Sequence, residues 1–113
     1  MKNGLFLDDL RFSDEVTWVS YPNDVTWKIV RTCEEFKEYL CENGIPQYIT
    51  FDHDLGDEEP LNGAELADWL CYEVVDGRLT LPDNFQYFVH SMNPIGADNI
   101  RSKLDQLIRF MSK

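Results

Sequence analysis

Three short apolar runs, each ending in polar turn residues, frame this chain. Leu5-Phe6-Leu7 leads into Asp8-Asp9-Leu10-Arg11, and Tyr48-Ile49-Thr50-Phe51 leads into Asp52-His53-Asp54-Leu55-Gly56. Phe85-Gln86-Tyr87-Phe88-Val89 leads into His90-Ser91-Met92-Asn93-Pro94. Runs of this length bounded by turn residues predict buried strands, over residues 3–8, 47–52 and 85–90. Trp27-Lys28-Ile29-Val30-Arg31 predicts a fourth strand. Val16-Thr17-Trp18-Val19-Ser20 alternates, which fits a short edge strand or a loop equally well.

Helical periods fill the remaining gaps. Thr32 stands three residues before Glu35, a spacing that satisfies free amide donors at a helix start. Phe36 and Leu40 give that helix its apolar face, and Gly44 with Pro46 ends it. Asn62 caps a second helix with Glu65 at its third position; Leu66, Trp69, Leu70 and Val74 form its buried face, and Gly77 closes it. A third helix starts between Pro94 and Ala97 and carries Ile100, Leu104, Leu107, Ile108 and Met111 at helical spacing. Residues 10–26 have no helical period. Strands alternating with helices imply right-handed crossovers and a mostly parallel sheet. The expectation is one domain over residues 1–113, a three-layer α/β fold of flavodoxin-like or receiver-like type with strand order 2-1-3-4. Its first helix is replaced by an irregular segment and its fifth strand is absent. Trp18, Tyr21 and Trp27 could form one wall for a nucleobase but read more readily as core or loop-anchoring residues, and Asp57-Glu58-Glu59 reads as a solvated loop.

Composition narrows the function classes. A hydrophobic fraction of 43% with 13% aromatics supports a folded core. The net charge of -11 removes any general attraction for nucleic-acid backbone or anionic lipid, so duplex nucleic acid and membrane are not expected partners. No apolar stretch approaches the ~20 residues that span a bilayer. No basic-then-apolar leader is read either. Cys33, Cys41 and Cys71 lack metal or redox spacing and are expected as reduced, mostly buried thiols of a cytoplasmic protein.

The chemistry gathers at the strand ends. In an open parallel sheet, ligands bind outside the carboxyl ends of the strands. The order 2-1-3-4 would bring Asp8, Asp9 and one or both of Asp52 and Asp54 within a few ångströms, together with His53, His90 and Ser91. Such repulsion is costly in a partly dry crevice. A hard divalent cation, Mg2+ or Mn2+, would relieve it, as would pairing with Arg11 and Arg31. Alternatively, Asp8 or Asp9 caps the turn that follows it. An imidazole titrates near neutrality when unperturbed, so either histidine could transfer protons. Strand alternation sets His53 opposite Asp52 and Asp54, which makes one of these groups a supporting residue. Asn93-Pro94-Ile95-Gly96-Ala97 leads into the last helix, whose free amides and dipole favour a phosphate.

The segments LDDLR (7–11), TWKIVRT (26–32), ITFDHDLG (49–56), NGAELADWL (62–70) and VHSMNPIGADNI (89–100) resemble the receiver-like family named for cyclic-phosphate processing. The resemblance spans nearly the whole chain, and DHDLG together with HS-x-N-P-x-G-x-x-N-I is its specific part. It implies a cyclic phosphate of a nucleotide or an RNA end as substrate. It maps Asp8, Asp9, Arg11, Arg31, Asp52, His53, Asp54, His90, Ser91 and Asn93 onto the family's polar motif positions. Phosphoacceptor receivers carry a lysine after a fifth strand, and it has no counterpart here. The resulting expectation is a metal-assisted phosphoesterase. Asp8, Asp9 and Asp52 or Asp54 would hold Mg2+ or Mn2+, and His90, His53 and Asp54 would handle protons. Arg11, Arg31, Ser91 and Asn93 would hold the phosphate. The competing expectation is a non-catalytic module that binds a cyclic nucleotide or a protein partner.

Overall fold

The computed structural model describes residues 2–112; Met1 and Lys113 lie outside the described residues. Its strands are β1 (Lys2–Leu7), β2 (Val25–Val30), β3 (Tyr48–Phe51) and β4 (Gln86–Val89). Its helices are α1 (Cys33–Asn43), α2 (Gly63–Val75) and α3 (Pro94–Met111). The sheet is parallel throughout, in the order β2-β1-β3-β4. Residues 8–24, between β1 and β2, contain only a single 3-10 turn, Ser13–Glu15. The alternating run 16–20 is therefore loop.

Each helix begins where the sequence predicts. Thr32 accepts the Glu35 amide at 3.1 Å. Asn62 and Glu65 exchange reciprocal bonds of 2.9 and 3.0 Å. Asn93 accepts the Gly96 amide at 3.0 Å, with Pro94 as the first helical residue. Such caps are each worth about 1 kcal/mol. Glu59 departs from the expected solvated loop, because its carboxylate accepts the Cys33 amide and helps start α1. Cys41 is exposed rather than buried, since it lies outside the Phe36–Leu40 stripe of α1.

The pleat divides the side chains between two unlike layers. Leu5, Leu7, Ile49, Phe51 and Val89 share one core with Phe36 and Leu40 of α1, Leu66 and Leu70 of α2, and Ile100 and Leu104 of α3. Phe6, Thr50 and Phe88 point the other way. There Tyr21 lies 5.1 Å from Trp27 and 5.2 Å from Phe88, and Trp27 meets Phe6 at 6.5 Å. Handedness explains the division. β2 lies on one side of β1 while β3 and β4 lie on the other, so right-handed connections send residues 8–24 and the helices to opposite faces. The third layer is thus irregular chain anchored by aromatic rings.

Candidate active site

The register that builds the sheet also builds the site. Leu7 is level with Phe51, and Phe51 with Val89. The next residues, Asp8, Asp52 and His90, therefore form one row across three strands. The ladder extends to them: Asp52 N–H donates to Leu7 O at 3.0 Å and His90 N–H to Phe51 O at 3.1 Å. Pleat parity places this row on the side of Phe6, Thr50 and Phe88, facing the irregular layer. All three side chains are buried, and their potential ligand atoms lie within 4.8 Å of one another.

Asp8 is the most heavily bonded group of the row. One oxygen, Oδ1, accepts the amides of Leu10 at 2.8 Å and Arg11 at 2.9 Å, so the carboxylate caps its own turn. The other, Oδ2, meets His90 Nε2 at 3.0 Å and Arg11 Nη1 at 3.5 Å. Burial alone would raise its pKa, but the His90 bond and the two amides outweigh burial and hold the carboxyl well below its ordinary range. Asp52 goes the other way. Burial and the neighbouring charge of Asp8 push it up to about 6, against the pull of His90 and of the His53 amide that its Oδ1 accepts. The row is thus one firmly ionised carboxylate beside one that resists ionisation.

His90, expected to handle protons at the strand ends, is turned away from solvent. The ring is 0% exposed and stacks on Phe6 at 4.5 Å with 9° between planes. Its Nδ1 is 2.9 Å from Thr50 Oγ1, which in turn is 2.8 Å from the Tyr21 hydroxyl. The tautomer with Nε2–H donating to Asp8 lets Tyr21 donate to Thr50 and Thr50 donate to Nδ1, which satisfies every group. The physical reason is parity: strand pleating continues through Phe88 and His90, so both turn into the aromatic layer. His90 Nε2 thus meets Asp8 Oδ2 from inside the aromatic layer. Thr50 was missed from sequence. Its signal is a hydroxyl at the same parity as Asp52, within an otherwise apolar and aromatic strand.

The open cavity lies outside this row, with a volume of about 580 Å³. Asp8, Asp9, Asp52 and Asp54 line it with Arg11, Ser91 and Asn93, and Leu10, Gly56 and Met92 complete the wall. Arg11 is the cation among these lining residues. Asp54, its side chain 70% exposed, is steered by His53 Nδ1 at 2.9 Å and Asn93 Nδ2 at 3.4 Å. His53 packs behind it on the helix side, as alternation requires. A Cβ at position 96 would collide with its ring, so only glycine lets α3 start there. Gly63 similarly admits the Asp52 carbonyl against the start of α2.

Two expected phosphate holders have other partners. Arg31 donates to the carbonyls of Asp8 at 3.1 Å and Arg11 at 2.6 Å and lies over Phe12, so it braces the β1–β2 turn outside the cavity lining. The start of α3 has little left to give: Pro94 has no N–H, the Gly96 amide is taken by Asn93 Oδ1 and the Ala97 amide by Asn93 O. Ser91 stays at the cavity wall, where its hydroxyl accepts the Asn93 amide at 3.1 Å.

A parallel β2-β1-β3-β4 sheet with acidic residues at the ends of β1 and β3 defines a receiver-like domain. Solved structures agree on the fold. One is the N-terminal domain of a response regulator/sensory box/GGDEF 3-domain protein from Carboxydothermus hydrogenoformans, similar at TM-score 0.51 and 16% identity over 98% of this chain and 97% of that one. Another is a yeast Spc42 trimeric coiled-coil segment fused to a second structure, at TM-score 0.59 and 18% identity over 98% of this chain and 81% of that one. A search of curated proteins found no match. The model of the cyclic-phosphate processing receiver domain matches residues 3–106, and the chain belongs to that family. Among the described residues, no helix is long and apolar enough to cross a membrane.

Proposed function

We propose that the cavity opens a cyclic phosphate of a nucleotide or an RNA end by attack of water, as a cation-assisted phosphoesterase. The observation that carries this reading is four carboxylates around one cavity with a single arginine, in a chain of this family. Burial first, and then the charge of Asp8, raise the Asp52 carboxyl, and a cation beside it would offset both. The donor set fits a hard cation: Asp9 and Asp52 offer carboxylate oxygens, as Mg2+ or Mn2+ prefers, and Asp8 Oδ2 would join them once Arg11, 3.5 Å away, turns to the phosphate. Once bound, the cation would offset charge on the phosphoryl oxygens.

The chain's own residues would do the rest. Arg11 would pair with a non-bridging phosphoryl oxygen, and Ser91 and Asn93 would border the ester. Asp54, steered by His53 and Asn93, would take a proton from the attacking water. The water oxygen bonds to phosphorus, one P–O bond of the ring breaks, and the proton returns through the Asp54–His53 pair to the released hydroxyl. His90 would hold Asp8 in place throughout.

Burial of His90 favours a second reading, a module that binds the cyclic phosphate without turnover. A panel of 2′,3′- and 3′,5′-cyclic nucleotides, with and without Mg2+ or Mn2+, separates the two. Ring-opened monophosphate from wild type, lost with EDTA and in Asp54→Asn, supports the esterase. Intact ligand bound at one equivalent supports the module. Metal alone should raise the melting temperature by linkage, and Asp8→Ala with Asp9→Ala should abolish the rise.

A further inference from the structure

The irregular segment between β1 and β2 adds nothing to the cavity wall beyond Arg11, yet two of its aromatic rings each seat an arginine. Arg31 lies over Phe12 at 4.7 Å and Arg11 over Trp18 at 5.3 Å. Trp18 is 43% exposed, too open for a core residue, but its indole N–H donates to the His90 carbonyl at 2.9 Å. That bond ties the segment to the end of β4 and fixes the ring. Arg11 is therefore held at both ends: its carbonyl accepts from Arg31 at 2.6 Å, and its guanidinium lies over the indole. The guanidinium stands 3.5 Å from Asp8 Oδ2, an ionic contact longer than a hydrogen bond, although four carboxylates line the same cavity. Among the described residues its N–H groups make no hydrogen bond, and the Arg11 bond to Asp8 Oδ1 comes from the backbone amide. An arginine free to choose would close on one of those carboxylates in a two-bond fork. The indole face attracts the cation from the other side and holds it back.

We infer that Trp18 is a positioning residue of the site: its indole is a shelf that holds Arg11 off the carboxylates and leaves the guanidinium N–H groups free for an anion in the cavity. The inference rests on the reading that this cavity takes a phosphate ester, and it gives residues 12–24 a task in that reading. A guanidinium over a ring face still offers N–H groups at its edge, where they can fork onto two phosphoryl oxygens. Set in place beforehand, Arg11 has less rotamer freedom to lose when the anion binds. Were Arg11 to close on Asp8 instead, one ion pair would consume both the partner of the anion and a ligand of the cation.

Two measurements test the shelf. Without ligand, the Arg11 Nε–H proton signal, identified by its loss in Arg11→Met, should lie upfield through the ring current of the indole. Trp18→Leu, which is apolar but has no π face, should return it to the position of an exposed arginine, and Trp18→Phe should keep part of the displacement. Both variants lose the N–H bond to His90, so their difference isolates the ring face. Calorimetry with 2′,3′-cyclic AMP in Mg2+ reads the consequence; every protein in that series carries Asp54→Asn to keep the ring closed, as phosphorus NMR checks. Trp18→Leu should weaken binding by about 2- to 30-fold, the range of one cation–π contact, with Trp18→Phe between it and the parent. In an Arg11→Met background Trp18→Leu should cost nothing further, because Trp18 acts through Arg11 alone. An Arg11 signal that stays put in Trp18→Leu, or an equal loss of affinity with and without Arg11, would overturn the shelf and leave the cyclic-phosphate reading standing. A wild type that neither binds nor opens the ester would overturn both.

Discussion

Replacing Asp52 by Asn should stabilise the metal-free protein at neutral pH, although it removes a hydrogen-bonded residue from the centre of the site. The carboxyl is raised from 3.8 to about 6, first by burial and then by the charge of Asp8. A raised acid favours the fold when protonated. Below about pH 4 both states are protonated and the shift costs nothing. Between about pH 4 and 6 the unfolded chain releases its proton first, so stability falls as pH rises. Above about pH 6 the whole cost is present: roughly 3 kcal/mol for a two-unit shift, and about 1–2 kcal/mol once water on the cavity side screens the charges. Asn keeps an oxygen to accept the His53 amide, which Asp52 accepts at 2.9 Å. The variant should therefore gain about 1–2 kcal/mol near pH 7.5, or roughly 3–10 °C in melting temperature, and nothing near pH 4. Urea unfolding followed by circular dichroism, in EDTA across that range, measures it. A variant less stable than wild type at pH 7.5, or a difference that does not change with pH, would refute the reasoning. Added Mg2+ should then stabilise wild type more than the variant, because the carboxylate it relieves is gone.

Asp8 should behave with the opposite sign. Its depressed carboxyl contributes stability that is present above the unfolded pKa and disappears as pH falls through the folded one, so Asp8→Asn should destabilise at pH 7 and converge with wild type in acid. Asp8→Ala, which strands the His90 ring and two amides, should cost about 3–5 kcal/mol by the same unfolding assay. Thr50→Val removes the hydroxyl 2.9 Å from His90 Nδ1; nitrogen NMR of the ring should read a single Nε2–H tautomer in wild type and a loss of that preference in the variant, with about 1–3 kcal/mol of stability lost. An unchanged ring spectrum would remove Thr50 from the chain that holds Asp8. Gly96→Ala drives a Cβ into the His53 ring, so it should lower turnover at least as far as His53→Ala does while α3 persists by circular dichroism.

The fold was legible in the sequence because its signals are local and agree with one another. Thr32, Asn62 and Asn93 sit where each helix must start, and the apolar runs end at the residues that become the site. Alternating strands and helices carried the order β2-β1-β3-β4. Membership of the cavity was legible for the same reason: Asp8, Asp9, Arg11, Asp52, Asp54, Ser91 and Asn93 all line it. Direction was harder. His90 terminates an apolar strand, and only the parity it shares with Phe88 and the absence of a helix on that face turn its ring inward. Arg31 is long enough to reach several acceptors, and its choice of two loop carbonyls depends on the folded path of residues 8–11. Glu59 found the start of α1 across 26 residues of sequence, which no local pattern encodes.

The most direct test of the central claim is a single-turnover reaction with a 2′,3′-cyclic nucleotide in oxygen-18 water with Mg2+, followed by phosphorus NMR. Attack of water on phosphorus requires one heavy oxygen in each product phosphate. The account expects that single label, its loss in EDTA, and a much slower reaction in Asp54→Asn. A cyclic phosphate recovered intact and unlabelled, bound at one equivalent to folded wild type, would contradict it.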